Sequence, residues 1–152
     1  MGSTTRQVNL PHLFALIVRL IVVYVFLRAA LPKIQDPVSF AVAVGGFRVT
    51  GPELSMWVAI VLPWLELVTG LGLLIPKLRR ASGIILALLL LVFIGLHSSA
   101  WIRGLDISCG CFGKELSAES PNYLWLIVRN SLLLIGLEWI TWRDFRNNSH
   151  NR

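Results

Sequence analysis

At 152 residues, 55% hydrophobic and only 14% charged, with a mean hydropathy of +0.70, this chain carries too little charge to cover the surface of a soluble domain. Its formal net charge of +6 lies in short stretches between apolar runs, a pattern of membrane topology and not of a basic face for nucleic acid. Too few residues lie outside those runs for a second domain, so residues 1–152 read as one membrane domain.

Four runs, at about 11–31, 53–75, 81–102 and 121–142, approach the ~20 residues that cross about 30 Å of hydrocarbon. They predict an all-α fold, an integral membrane four-helix bundle. The first run lacks a small-x-small cleavage site and continues into a charged connector, so it reads as a retained span and not as a cleaved signal. It carries Arg19 and, on the opposite helix face, Arg28, an expected interfacial snorkeller. Lys33 follows where the span reaches the outer surface, close to the face of Arg19. Asp36-Pro37 has the grammar of an N-cap followed by proline at the first helical position, and Gly45-Gly46 that of a stop. With Phe40, Ala41 and Val44 on one face, 37–44 is expected to be a short amphipathic helix on the membrane surface in the first outer connector. A re-entrant or extended loop is the alternative.

The second run places Pro63 three residues before Glu66, where it should kink the helix and free a carbonyl. The tight turn Pro76-Lys77-Leu78-Arg79-Arg80 leads into the third run, in which only His97 can carry a charge. The loop 103–120 follows, with both cysteines of the chain, Cys109 and Cys111, and glycines at 104, 110 and 113 that permit turns other residues resist. Ser120-Pro121 opens the fourth run by the same capping logic, and that run holds Arg129 and, near its inner end, Glu138.

Charge sets the expected orientation. One side carries Arg6, Lys77, Arg79, Arg80, Arg143, Arg146 and Arg152 against a single acid, Asp144. The other carries Arg28, Lys33, Arg48, Arg103 and Lys114, offset by Asp36, Glu53, Asp106, Glu115 and Glu119. Basic residues favour the cytoplasmic side, which predicts a multi-pass protein of the cell inner membrane with both termini cytoplasmic and the cysteine loop extracytoplasmic. That compartment permits disulfides.

Two cysteines separated by one residue can exchange a disulfide with a partner, hold a soft metal or staple a turn. A ring this small satisfies disulfide geometry poorly, so the bond is strained and reducible, which suits a bond made and broken repeatedly. As a permanent staple it removes little unfolded-state entropy. Zinc normally takes four ligands, for which only His97 and Asp106 are plausible additions to the two thiols, and a linear Cu(I) dithiolate also stays open. Around the thiols, Lys33 either favours a thiolate by its charge or simply anchors the interface, and His97 either accepts a thiol proton or bonds within the bundle.

Ionisable groups inside a bilayer are costly and therefore candidates for function. Counted at 1.5 Å per residue, Arg19 and Glu66 lie about 12–14 Å from the inner side, and Arg129 about 12 Å from the outer. Arg19 and Glu66 can meet if the first two spans are neighbours, with Arg129 approaching from above. Such a network either fixes helix register or lines a proton or ligand path, binding a membrane quinone head group or a substrate carboxylate.

Arg19, Lys33-Ile-Gln-Asp36-Pro37…Phe40, Leu62-Pro63-Trp-Leu-Glu66-Leu…Gly70-Leu-Gly72, Cys109-Gly-Cys111-Phe-Gly113 and Arg129-Asn130 occur in that order, and with them the chain resembles the MauE/DoxX-like redox-associated membrane proteins over roughly residues 12 to 140. The resemblance implies a four-helix membrane protein tied to extracytoplasmic thiol–disulfide chemistry with a thioredoxin-like partner, as in the maturation of disulfide-rich methylamine dehydrogenase. On that reading Cys109 and Cys111 carry the exchange, and Arg19, Lys33, Glu66, His97 and Arg129 support it. Two rivals remain at this point: a non-catalytic assembly factor or anchor for a redox partner, and a small-molecule transporter built on Arg19, Glu66 and Arg129.

Overall fold

A computed structural model describes residues 10–105 and 122–149. The described chain is all-helical: α1 (Leu10–Gln35), α2 (Pro37–Gly46), α3 (Pro52–Gly72), α4 (Arg79–Ile102) and α5 (Tyr123–Ser149). Four stretches, Leu13–Gln35, Pro52–Gly72, Arg79–Ile102 and Tyr123–Arg146, are long and apolar enough to cross a membrane. Large apolar side chains such as Phe14, Trp57, Leu88 and Leu132 are exposed on the outward faces of all four long helices. Helices apolar all round belong in lipid, so the described fold is that of a membrane helical bundle.

Local rules account for the element boundaries. The Asp36 carboxylate accepts from the Ser39 N–H at 3.0 Å and from its hydroxyl at 2.6 Å, and Pro37 occupies the first turn of α2. The 37–44 segment is thus helical, as expected, and the extended alternative is overturned. Phe40 and Ala41 lie on its buried face as predicted, joined by Ala43, and they pack on Ala59 and Leu62 of α3. The first span is longer than its apolar run implies, continuing without a break through Lys33 to Gln35.

α1 packs against α3 and α5, and α4 packs against the same two helices, while the diagonal pairs do not meet at the backbone. Close approaches define the register. Gly45 faces Ser55, Lys33 faces Glu66 and Gly70 faces Phe26, so α1 and α2 together run antiparallel to α3. Gly83 faces Thr141, and Gly136 faces Val18. Val22, Phe26, Leu86, Leu90, Leu133 and Leu137 fill the centre. One end of the bundle carries the α3–α4 turn and the C-terminus of α5. The other carries the junctions to residues 106–121, the segment holding both cysteines, which lies outside the described residues.

Candidate functional site

The central polar feature is an ion pair that α1 and α3 bring together. Lys33 Nζ donates to Glu66 Oε1 at 2.6 Å and to Oε2 at 2.8 Å, with 3% of the lysine and none of the glutamate exposed. Charges this deep are costly to desolvate, and each compensates the other at hydrogen-bonding distance. The ammonium also stands 5.1 Å from the ring centre of Phe40 and 5.2 Å from that of Phe93, so α2 and α4 contribute aromatic faces to it.

This pairing corrects the expected network. Arg19 does not meet Glu66: its guanidinium bonds the Asp144 carboxylate of α5 at 2.9 Å, at the turn end of the bundle. The reason is the offset between helices. Gly70 of α3 lies beside Phe26 of α1, so Lys33, two turns later, reaches Glu66, whereas Arg19, two turns earlier, passes the Gly72 end of α3. Lys33 is correspondingly buried and not at a surface. A transport path that needs Arg19, Glu66 and Arg129 together therefore lacks its first member.

The remaining predicted groups do converge. Lys33, Glu66, His97 and Arg129 line one cavity of about 370 Å³, with Phe40, Phe93 and Asn130 in its wall. His97 is buried on α4, where its Nδ1–H donates to the Phe93 carbonyl at 2.6 Å and its ring lies 5.9 Å from that of Phe47. Arg129 Nη2 donates to Asn130 Oδ1 at 3.3 Å. Asn130 was legible only as part of the Arg129-Asn130 pair.

Above the cavity, Phe47, Ala100 and Tyr123 form a small apolar cluster with Leu96 and Leu105. The Tyr123 hydroxyl donates to the Leu105 carbonyl, tying the start of α5 to the end of α4. Arg103 Nη1 donates to the Phe47 carbonyl at 3.0 Å, joining the same junction to the α2–α3 connection. Nothing in the sequence singled out Tyr123 for this role. Cys109 and Cys111 lie outside the described residues, so the Cu(I) alternative is not placed, and the described residues hold no cluster of three or more His, Cys, Asp or Glu that could bind a metal. Arg28 and Glu138 are exposed, apart from the cavity.

The profile of the family described as "Methylamine utilisation protein MauE" matches residues 11–143. The chain is 34% identical over 120 residues to the methylamine utilization protein MauE of Paracoccus denitrificans, covering 78% of this chain and 63% of that protein. It is 32% identical over 128 residues to the protein of the same name from Methylorubrum extorquens, covering 81% and 67% of the two chains. The corresponding protein of Methylophilus methylotrophus is 32% identical over 132 residues, covering 86% and 68%. The chain thus spans about two thirds of the length of the curated relatives it matches. No solved structure matches.

Proposed function

We propose, from the premise that this chain belongs to the MauE family, that it is a membrane thiol–disulfide redox protein acting through Cys109 and Cys111. Its relatives are named for methylamine utilisation. The corresponding role here is to support disulfide formation in, or maturation of, an extracytoplasmic protein such as methylamine dehydrogenase, by way of a thioredoxin-like partner. The excess of Lys and Arg beside the α3–α4 turn and in the C-terminal part of α5 supports an inner-membrane protein with cytoplasmic termini and the cysteine segment outside.

The observation that supports this reading is that both cysteines of the chain fall in the one stretch of sequence, 106–121, that is flanked by Leu105 and Tyr123, which a hydrogen bond ties together. In the exchange, a partner thiolate attacks Cys109 of the Cys109–Cys111 disulfide, and Cys111 leaves as thiolate. The partner's second thiolate then attacks the mixed disulfide, so the partner leaves oxidised and the chain holds a dithiol. Phe112, adjacent to Cys111, favours Cys109 as the accessible sulfur. The test is the Cys111→Ser variant in cells: a high-mass adduct, lost on reduction and containing a thioredoxin-like protein, is expected through Cys109. The reading fails if neither single Cys→Ser variant traps an adduct and recipient disulfides form normally in the double variant.

A further inference from the structure

We propose that the cavity lined by all five helices binds a lipid-soluble quinone, which accepts the two electrons of the dithiol; that role, though not the site, rests on the thiol–disulfide reading above. The cavity's volume of about 370 Å³ lies within the ~300–1,000 Å³ range of small-molecule sites and suits a substituted single ring with the first part of a tail. Its wall is almost wholly apolar except where Lys33, Glu66, His97, Arg129 and Asn130 converge. A dry apolar space of this size loses packing contacts unless a ligand fills it, and its apolar character disfavours water.

Two features select a quinone over a lipid acyl chain. Lys33 has three N–H donors, of which two are committed to Glu66, leaving one to give to a carbonyl oxygen inside the cavity. The rings of Phe40 and Phe93 beside the ammonium suit stacking against a flat ring. An acyl chain would use neither. Entry is from the lipid side: the lining runs from the buried Lys33 and Glu66 to Val49 and Val92, which are 56% and 55% exposed.

Turnover requires a two-electron acceptor, and a quinone in this cavity would supply one. The chain has two cysteines and hence one dithiol, so electrons taken from a partner have no second pair within the chain to pass to. When the dithiol is reoxidised, two S–H bonds break and one S–S bond forms. The two electrons and two protons released reduce the two carbonyl oxygens of the quinone to hydroxyls.

The test uses the full chain in lipid nanodiscs, titrated with decylubiquinone, and with decylbenzene as a tail-bearing control that lacks carbonyls. Saturable binding of decylubiquinone that decylbenzene does not displace is expected. Leu62→Phe and Leu96→Phe, which fill the cavity from α3 and α4, should each weaken binding by about tenfold or more, with helicity and melting temperature retained. The double Cys109→Ser/Cys111→Ser variant should bind as the wild type does. Absence of saturable binding, equal competition by decylbenzene, or indifference to both filling variants overturns the site. Loss of quinone binding in a protein that still forms the mixed disulfide overturns this inference alone. Quinone binding without any mixed disulfide keeps the site and overturns both the thiol reading and the acceptor role.

Discussion

Lys33 of α1 and Glu66 of α3 hold each other between the two helices through two hydrogen bonds of 2.6 and 2.8 Å, both side chains being almost wholly buried. Neither charge has water to fall back on, so each depends on the other. Replacing one partner leaves an uncompensated buried charge at a cost of ~3–5 kcal/mol, whereas replacing both with apolar residues of similar size is far less harmful. Glu66→Gln and Lys33→Met should therefore each lower the melting temperature in detergent markedly, and Lys33→Met/Glu66→Leu should recover most of the loss. Additive losses in the double variant would show that the two residues do not act as a pair.

Arg19 and Asp144 form the contrasting case. Their 2.9 Å bond lies at the turn end, with the side chain of Asp144 28% exposed. The Arg19 side chain is 8% exposed, so solvent screens the pair only from the Asp144 side, and its contribution lies between the ~0.2–1 kcal/mol of an exposed ion pair and that of a fully buried one. Asp144→Asn should thus lower stability by less than Glu66→Gln does, and raising the salt concentration should shrink the difference between wild type and Asp144→Asn. The check is a melting series in low and high salt.

The contrast between these pairs marks what the sequence alone can reveal. Span positions, the Asp36-Pro37 cap and the buried face of α2 follow from local rules, because hydropathy, capping and periodicity involve residues only a few positions apart. The pairing of Lys33 with Glu66 depends on the offset of α1 against α3, which is set by packing at Phe26 and Gly70 and not by the edges of the apolar runs. Counting inward from those edges put Arg19 beside Glu66 and Lys33 at the surface. A better clue was present: Asp144 is the single acid among the basic residues of its side, and so the natural partner for an arginine near that end. Tyr123 offered no such clue, since its tie to Leu105 joins two helix ends far apart in sequence.

The α4–α5 contact predicts a sharp difference between two glycines of one helix. A methyl group added at Gly83 would stand 2.7 Å from Thr141 Oγ1, whereas one added at Gly95 meets nothing within 4 Å. Thr141 has little room to yield, because it is β-branched and its hydroxyl donates to the Leu137 carbonyl at 2.8 Å. Gly83→Ala should cost ~1–3 kcal/mol, the usual range for overpacking. Gly95→Ala should be neutral or stabilising by up to ~1 kcal/mol through helix propensity. Thermal unfolding in detergent distinguishes them, and Gly83→Ala/Thr141→Ala should be closer to the wild type than Gly83→Ala alone.

Tyr123→Phe isolates the tie at the other end. The ring remains available to pack with Phe47 and Ala100, and the hydroxyl bond to the Leu105 carbonyl is lost. A hydrogen bond of this kind contributes about 0.5–1.5 kcal/mol net, so the loss in global stability should be small. The larger effect is expected in the thiol chemistry, because Leu105 and Tyr123 flank the segment that carries Cys109 and Cys111. If the tie helps hold that segment ready for its partner, the same free energy appears as a roughly two- to tenfold slower formation of the mixed disulfide in the Cys111→Ser background. Quenched time courses on non-reducing gels measure that rate. An unchanged rate accompanied by a lower melting temperature would assign the Tyr123 hydroxyl to holding α4 and α5 together and to nothing beyond that.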